Sequence, residues 1–171
     1  MELKSKDLTI KKAVFSDWRS IYENVWSSEK TAKYMMWSPT NNEADAKSRM
    51  ERTLEFQKSH DAFFIYLNST GEAIGFTGYD EMDEGVYCEC GIAIGEKFAG
   101  KGYGKQVLNM LIEHCLKIGG KKFIYRTDEE NIPSKRLVQS FGFDFVGVEE
   151  KIYEKDGIKR RIEIYSKKIG G

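Results

Sequence analysis

The chain has 171 residues, enough for one domain spanning 1–171 that buries roughly two-thirds of the surface its unfolded form exposes. Lysine plus arginine and aspartate plus glutamate both total 27, so the molecule as a whole exerts no general attraction on nucleic acid or an anionic membrane. Met1 to Lys6 lacks the apolar run of a secretory signal, and no stretch approaches the roughly 20 apolar residues that span a bilayer, so a cytoplasmic protein is expected.

Leu8 to Val14 alternates apolar and polar residues like a half-buried strand, and Ser16-Asp17 then caps a helix whose Trp18, Ile21, Tyr22, Val25 and Trp26 share one face. Thr31 to Thr40 reads as irregular and aromatic. Asn41 or Asn42 caps a second helix to about Lys58, with Ala46, Met50 and Leu54 as its apolar stripe. Ala62 to Asn68 and Ala73 to Tyr79 are strands joined by the turn Ser69-Thr70-Gly71-Glu72, and Asp80, Glu81, Asp83 and Glu84 form an acidic loop. Gly85 introduces a strand from Val86 to Ile94.

From Gly102 the period changes: Val107, Leu108, Leu111, Ile112, Cys115 and Leu116 predict a helix face closed by Gly119-Gly120. A strand over Lys122–Thr127 follows, then a short helix from Asn131 to Phe141 with Pro133 in its first turn. Two strands, about Asp144–Tyr153 and Lys159–Lys167, flank Lys155-Asp156-Gly157. The unit from Val86 through Thr127 requires a parallel strand pair, because its crossover is a helix. The three cysteines, Cys88, Cys90 and Cys115, have neither disulfide-framework nor zinc spacing, so reduced, buried thiols and no metal are expected. Cys88 and Cys90 lie on the same face of one strand. His60 and His114 read as structural or surface residues.

The run Gly100-Lys101-Gly102-Tyr103-Gly104 lies where a strand hands over to a helix. Such a loop presents backbone N–H groups and the positive end of a helix dipole to phosphate, and Lys97, Lys101 and Lys105 surround it. Gly95 to Lys101 begins like a Walker loop, but Gly102 stands where Ser or Thr must ligate magnesium. The GxGxxG pattern fails at Val107 or Lys105, depending on where it starts. A glycine-rich turn that merely enters a helix remains the plain alternative.

Ala99 to Gly104 resembles the acetyl-CoA loop of the GNAT acetyltransferases, Gln/Arg-x-x-Gly-x-Gly/Ala, at every position but the first, where Ala99 departs. Asn131-Ile132-Pro133-Ser134 followed by Gly142-Phe143 resembles the family's second element. The details are similar to the branch of ribosomal-protein N-terminal and polyamine acetyltransferases. The resemblance implies an α/β fold: a mixed, mostly antiparallel sheet with a splayed parallel strand pair and flanking helices. It also implies acetyl transfer from acetyl-CoA to a primary amine on a protein N-terminus, a polyamine or an aminoglycoside-like molecule, by direct attack in a ternary complex. The alternative is a non-catalytic acyl-CoA-binding sensor or interaction module. A homodimer is compatible with either.

On this reading the cofactor contacts are Ile92, Ala93 and Ile94 on the splayed strand, the loop from Ala99 through Gly100, Lys101, Gly102, Tyr103 and Gly104 to Lys105, and Asn131 and Ser134. Glu89 is the candidate base, with a solvent-facing or cation-orienting role as its alternative. Many family members carry a tyrosine acid seven residues after the motif's Asn. Here that position is Val138, which leaves Ser134, or water held by Asn131 and Ser134, beside the leaving thiolate. Tyr34 and Trp37, with Met35 and Met36, are the candidate acceptor wall facing Phe76 and Tyr79, with core packing as the alternative.

Overall fold

The computed structural model describes residues 1–171. One eight-stranded sheet in the order β1-β2-β3-β4-β5-β6-β8-β7 forms its middle layer. The strands are β1 (Glu2–Lys4), β2 (Leu8–Lys11), β3 (Ala62–Leu67), β4 (Ala73–Asp83), β5 (Val86–Ile94), β6 (Lys122–Asp128), β7 (Asp144–Ile152) and β8 (Lys159–Lys168). Every neighbouring pair is antiparallel except β5 and β6, which the crossover helix makes parallel as expected.

Alternation along the central strands builds two cores. On one face Phe63 and Ile65 of β3 join Tyr79, Tyr87, Phe123, Tyr125, Val138 and the apolar side of α4 (Tyr103–Lys117). On the other, Phe64 and Tyr66 meet Ile21, Val25 and Trp26, together with Ala46 and Met50 of α3 (Glu43–Ser59). The layers thus follow from the period of two in the strands and of 3.6 in the helices. Asn42 caps α3 through its side chain, which accepts from Asp45 N at 2.8 Å.

Several local expectations are corrected. β1 pairs with β2 although its three residues carry too little pattern to be read. The first strand ends at Lys11, because Ala13 N is taken by the Gln57 side chain at 2.8 Å rather than by a neighbouring strand. The acidic stretch is strand through Asp83, since Asp80 and Glu81 continue the register against Cys88 and Tyr87. Leu116 is exposed and Met110 is buried in its place on α4.

The first helix is also more complex than a uniform turn. It runs as a 3-10 turn at Phe15–Asp17, α1 at Trp18–Ile21 and a π-helical turn at Tyr22–Trp26, before the short α2 at Glu29–Ala32. The π turn pushes the Asn24 carbonyl against Gly95, where an added Cβ would sit 2.1 Å from that oxygen. The Asn24 side chain donates to Ala73 O at 2.9 Å and fixes the turn. Gly95→Ala is therefore expected to cost about 3 kcal/mol through forced overpacking against backbone. For a chain of this size that is a Tm fall of roughly 6–12 °C in a thermal melt; an unchanged Tm would show that the contact is soft.

Candidate active site

β5 and β6 pair only at Val86↔Lys122, Tyr87↔Phe123 and Cys88↔Ile124. Beyond Cys88 they separate, because β5 carries a bulge. Its register against β4 passes from Tyr79↔Glu89 to Thr77↔Ile92, so two β5 residues, Cys90 and Gly91, oppose Gly78 alone. Gly91 sits at φ +100, open to glycine, and its carbonyl accepts from Thr77 Oγ1 at 2.8 Å. Ile92, Ala93 and Ile94 then pair with β4 only, which leaves their edge toward β6 without a strand partner.

Glu89 occupies the apex of this splay. It is 8% exposed, which removes the solvent-facing alternative. Its Oε1 accepts from Arg126 N on β6 at 3.0 Å and its Oε2 accepts from Gly91 N within the bulge. Burial pushes the carboxyl up to about 7 against the two amide bonds, which act in the opposite direction. A carboxyl so placed exchanges its proton near neutral pH, as a general base must.

The glycine loop follows β5 through a 3-10 turn at Glu96–Phe98. Gly100 and Gly102 lie at φ +76 and +78, and Gly102 is the N-cap of α4. The first helical bond runs from Gln106 N to Gly102 O, and none of the backbone amides from Gly100 to Lys105 donates to another group of the protein. This run of free donors, at the positive end of a fifteen-residue helix, fits a pyrophosphate. Lys97, Lys101 and Lys105 are exposed and belong to none of the ion pairs, so their charge is available to the same ligand.

The second motif stands beside the first. A Cβ on Gly104 would lie 3.4 Å from Leu137 of α5 (Ile132–Ser140), so the opening turn of α4 packs on that helix. Asn131 caps α5 by accepting from Ser134 N at 3.3 Å, and Ser134 Oγ is 2.8 Å from Tyr125 Oη. Val138 is fully buried in the core. Tyr125, buried on β6, escaped the sequence reading because its alternation looked like ordinary core. Ser134→Ala would strand the Tyr125 hydroxyl and is expected to cost about 1–2 kcal/mol. The double variant with Tyr125→Phe should recover part of that loss in a thermal melt; equal loss in both variants would argue against the bond.

The acceptor candidates divide. Trp37 and Phe76 stand with ring centroids 5.9 Å apart and line a cavity of about 660 Å³ between α3 and the sheet, together with Cys90. Cys90 is exposed rather than buried, and its Sγ donates to Asp80 Oδ2 at 3.0 Å. Tyr79 turns to the opposite face, where its hydroxyl is 2.9 Å from His114 Nε2; three residues beyond Phe76 on β4, it falls on the other side by alternation alone. Tyr34 lies outside the cavity lining and ties its segment to the loop before α5 by donating to Glu130 O at 3.2 Å. Lys155 holds the same segment by donating to Ala32 O at 2.7 Å. No group of three or more His, Cys, Asp or Glu side chains is arranged for a metal, and no helix is long and apolar enough to cross a membrane.

A sheet splayed at a buried carboxylate, with a ring of free amides at its mouth, is the layout of an acyl-CoA site. The chain belongs to the GNAT acetyltransferase family: the family's "Acetyltransferase (GNAT) domain" model matches residues 7–144. A spermine/spermidine N(1)-acetyltransferase of Bacillus subtilis (strain 168) is 39% identical over 91 residues, covering 48% of this chain and 60% of that protein. The fold is that of an acetyltransferase (GNAT family) from Bacillus anthracis, with TM-score 0.82 at 20% identity over 98% of both chains. The microcin C7 self-immunity acetyltransferase MccE, crystallised with acetyl-CoA and AMP, superposes with TM-score 0.81 at 23% identity, over 96% of this chain and 94% of that one.

Proposed function

We propose that this chain transfers an acetyl group from acetyl-CoA to a primary amine by direct attack within a ternary complex. The observation that carries the reading is the unbroken run of free amides from Gly100 to Lys105 beside the β5–β6 splay. Those amides and the flanking lysines hold the pyrophosphate, and the unpaired edge of Ile92, Ala93 and Ile94 takes the pantetheine arm and polarises the thioester carbonyl. Asn131 fixes the start of α5 beside the loop.

Glu89 accepts the proton of the attacking ammonium, directly or through water, so that a neutral amine reaches the carbonyl carbon. The C–N bond forms, the C–S bond breaks with CoA departing as a thiolate, and the second amine proton passes through water to that sulfur, leaving a neutral amide and the CoA thiol. Ser134 donates its hydroxyl hydrogen bond to that sulfur. Burial holds the Tyr125 phenol far above its ordinary pKa, so it serves as a fixed partner to Ser134 rather than as an acid in its own right.

The second reading, a non-catalytic acyl-CoA sensor, is favoured by Val138 in place of a tyrosine acid. Thiol release with a panel of amines separates the two: tight acetyl-CoA binding with no turnover of any amine would sink the enzyme reading. A CoA complex in which the pyrophosphate avoids the backbone between Ala99 and Gly104 would sink both.

A further inference from the structure

The acceptor cavity carries positive charge without a matching acid. Arg49 and Arg52 line it from α3, and no Asp or Glu is among its lining residues. Arg49 stacks its guanidinium on Trp26 and Trp37, with Cζ at 4.4 and 4.8 Å from the two rings. Its one hydrogen bond goes to Thr40 Oγ1 at 3.2 Å, and neither arginine has a carboxylate within 4.0 Å. A guanidinium has five N–H donors, so most of those on Arg49 are unused. Burial, reinforced by the neighbouring Arg52, depresses its pKa to about 10, the mark of a cation short of a counter-charge.

A second donor in the same wall is also unmet. Trp37 Nε1 is buried and has no hydrogen-bond partner, and it is the only buried side-chain nitrogen or oxygen in the chain so left. Buried polar groups in native proteins are nearly always paired. The lining also reaches the bulge of β5. Cys90 there is hydrogen-bonded to the Asp80 carboxylate and adjoins Glu89 in the bulge.

We infer that the acceptor is an amine that also bears an acidic group, a carboxylate or a phosphate, held by Arg49 with Arg52 and Trp37 while its amine points to the splay. This rests on the acetyltransferase reading and narrows its substrate class. Arg49 supplies the planar fork that pairs two oxygens of either acid. Trp37 supplies the ring face on which the Arg49 guanidinium is held. A polycationic amine meets two guanidinium groups and no acid on that wall, so polyamines are disfavoured.

The test begins with acetyl-CoA binding by calorimetry. Its absence defeats the acetyltransferase reading itself, independently of the acceptor. With acetyl-CoA binding established, matched acceptors are compared by thiol release and, on the CoA-loaded protein, by calorimetric binding. The pairs are a free amino acid against its amide, an aminoalkyl phosphate against the corresponding amino alcohol, and spermidine. The acid-bearing member of a pair is expected to bind and react at least 10-fold better than its neutral partner. Which pair shows the larger gap identifies carboxylate or phosphate.

Arg49→Met should raise KM for the acid-bearing acceptor 10-fold or more with little change for the neutral one. Arg52→Gln, at an exposed position that leaves the Trp26–Arg49–Trp37 stack in place, should raise it about 3-fold. Neutral amines or spermidine bound and acetylated as well as the acids, or an acid preference unmoved in both variants, overturns the inference while leaving the acetyltransferase reading standing.

Discussion

Glu89→Gln is expected to lower kcat/KM by about 10²–10³-fold, the range that loss of a positioned general base produces. The wild-type rate should rise with pH through about 7, where the buried carboxyl loses its proton, and then level off. The variant, with nothing to ionise there, should lose that limb, while acetyl-CoA binding, carried by the amides from Gly100 to Lys105, stays within about 2-fold. A variant that keeps both rate and limb would reassign the base. Stability gives an independent reading. The folded-state pKa lies above the ordinary 4.5, so the fold favours the protonated form, and that advantage disappears as pH rises from about 4.5 to 7. The wild-type Tm should therefore fall relative to the variant's across that window. Against this, one of the amide donors on Arg126 and Gly91 meets an NH₂ in the variant, which costs about 1–3 kcal/mol at any pH.

Gly102→Val should raise KM and Kd for acetyl-CoA about 10–100-fold. At φ +78 a β-branched residue is strained by about 1–2 kcal/mol, so the loop will rotate away from the geometry that lines up its amides. No atom lies within 4 Å of the position its Cβ would take, so the fold itself has room and should melt within a few degrees of the wild type. Gly104→Ala is the control. Its Cβ would make ordinary contact with Leu137 at 3.4 Å, and the change should cost less than about 3-fold in KM. Equal losses in the two variants would show that glycine is needed throughout the loop for space rather than at 102 for its dihedral.

The site was legible where chemistry depends on backbone and local pattern. Gly100 and Gly102 announce an unusual dihedral in the sequence itself, and Asn131 three residues before Ser134 is a cap that spacing alone reveals. The parallel pair followed from a helix between two strands. What stayed hidden depends on register between distant segments. The bulge at Cys90-Gly91 arises from pairing with β4 and cannot be read along β5 itself. Tyr79 was grouped with Phe76 although alternation over three residues of β4 already puts the two on opposite faces. Nothing local in the sequence singles out Arg49 and Arg52 on α3, because only the fold decides that no carboxylate meets them. Tyr125 met Ser134 only through the crossing of β6 and α5.

The contact of Asn24 with Gly95 also constrains how this protein can change over evolutionary time. Asn24 is two residues from Trp26 in the cavity wall, and Gly95 is five residues ahead of Gly100 in the glycine loop. Because the two backbones touch with no side chain between them, sliding the first helix to admit a new acceptor would drag the loop with it. Divergence in acceptor choice is thereby channelled into exchanges of side chains such as Trp37, Arg49 and Phe76, and a lineage that replaces Gly95 must first, or at the same time, lose the π turn.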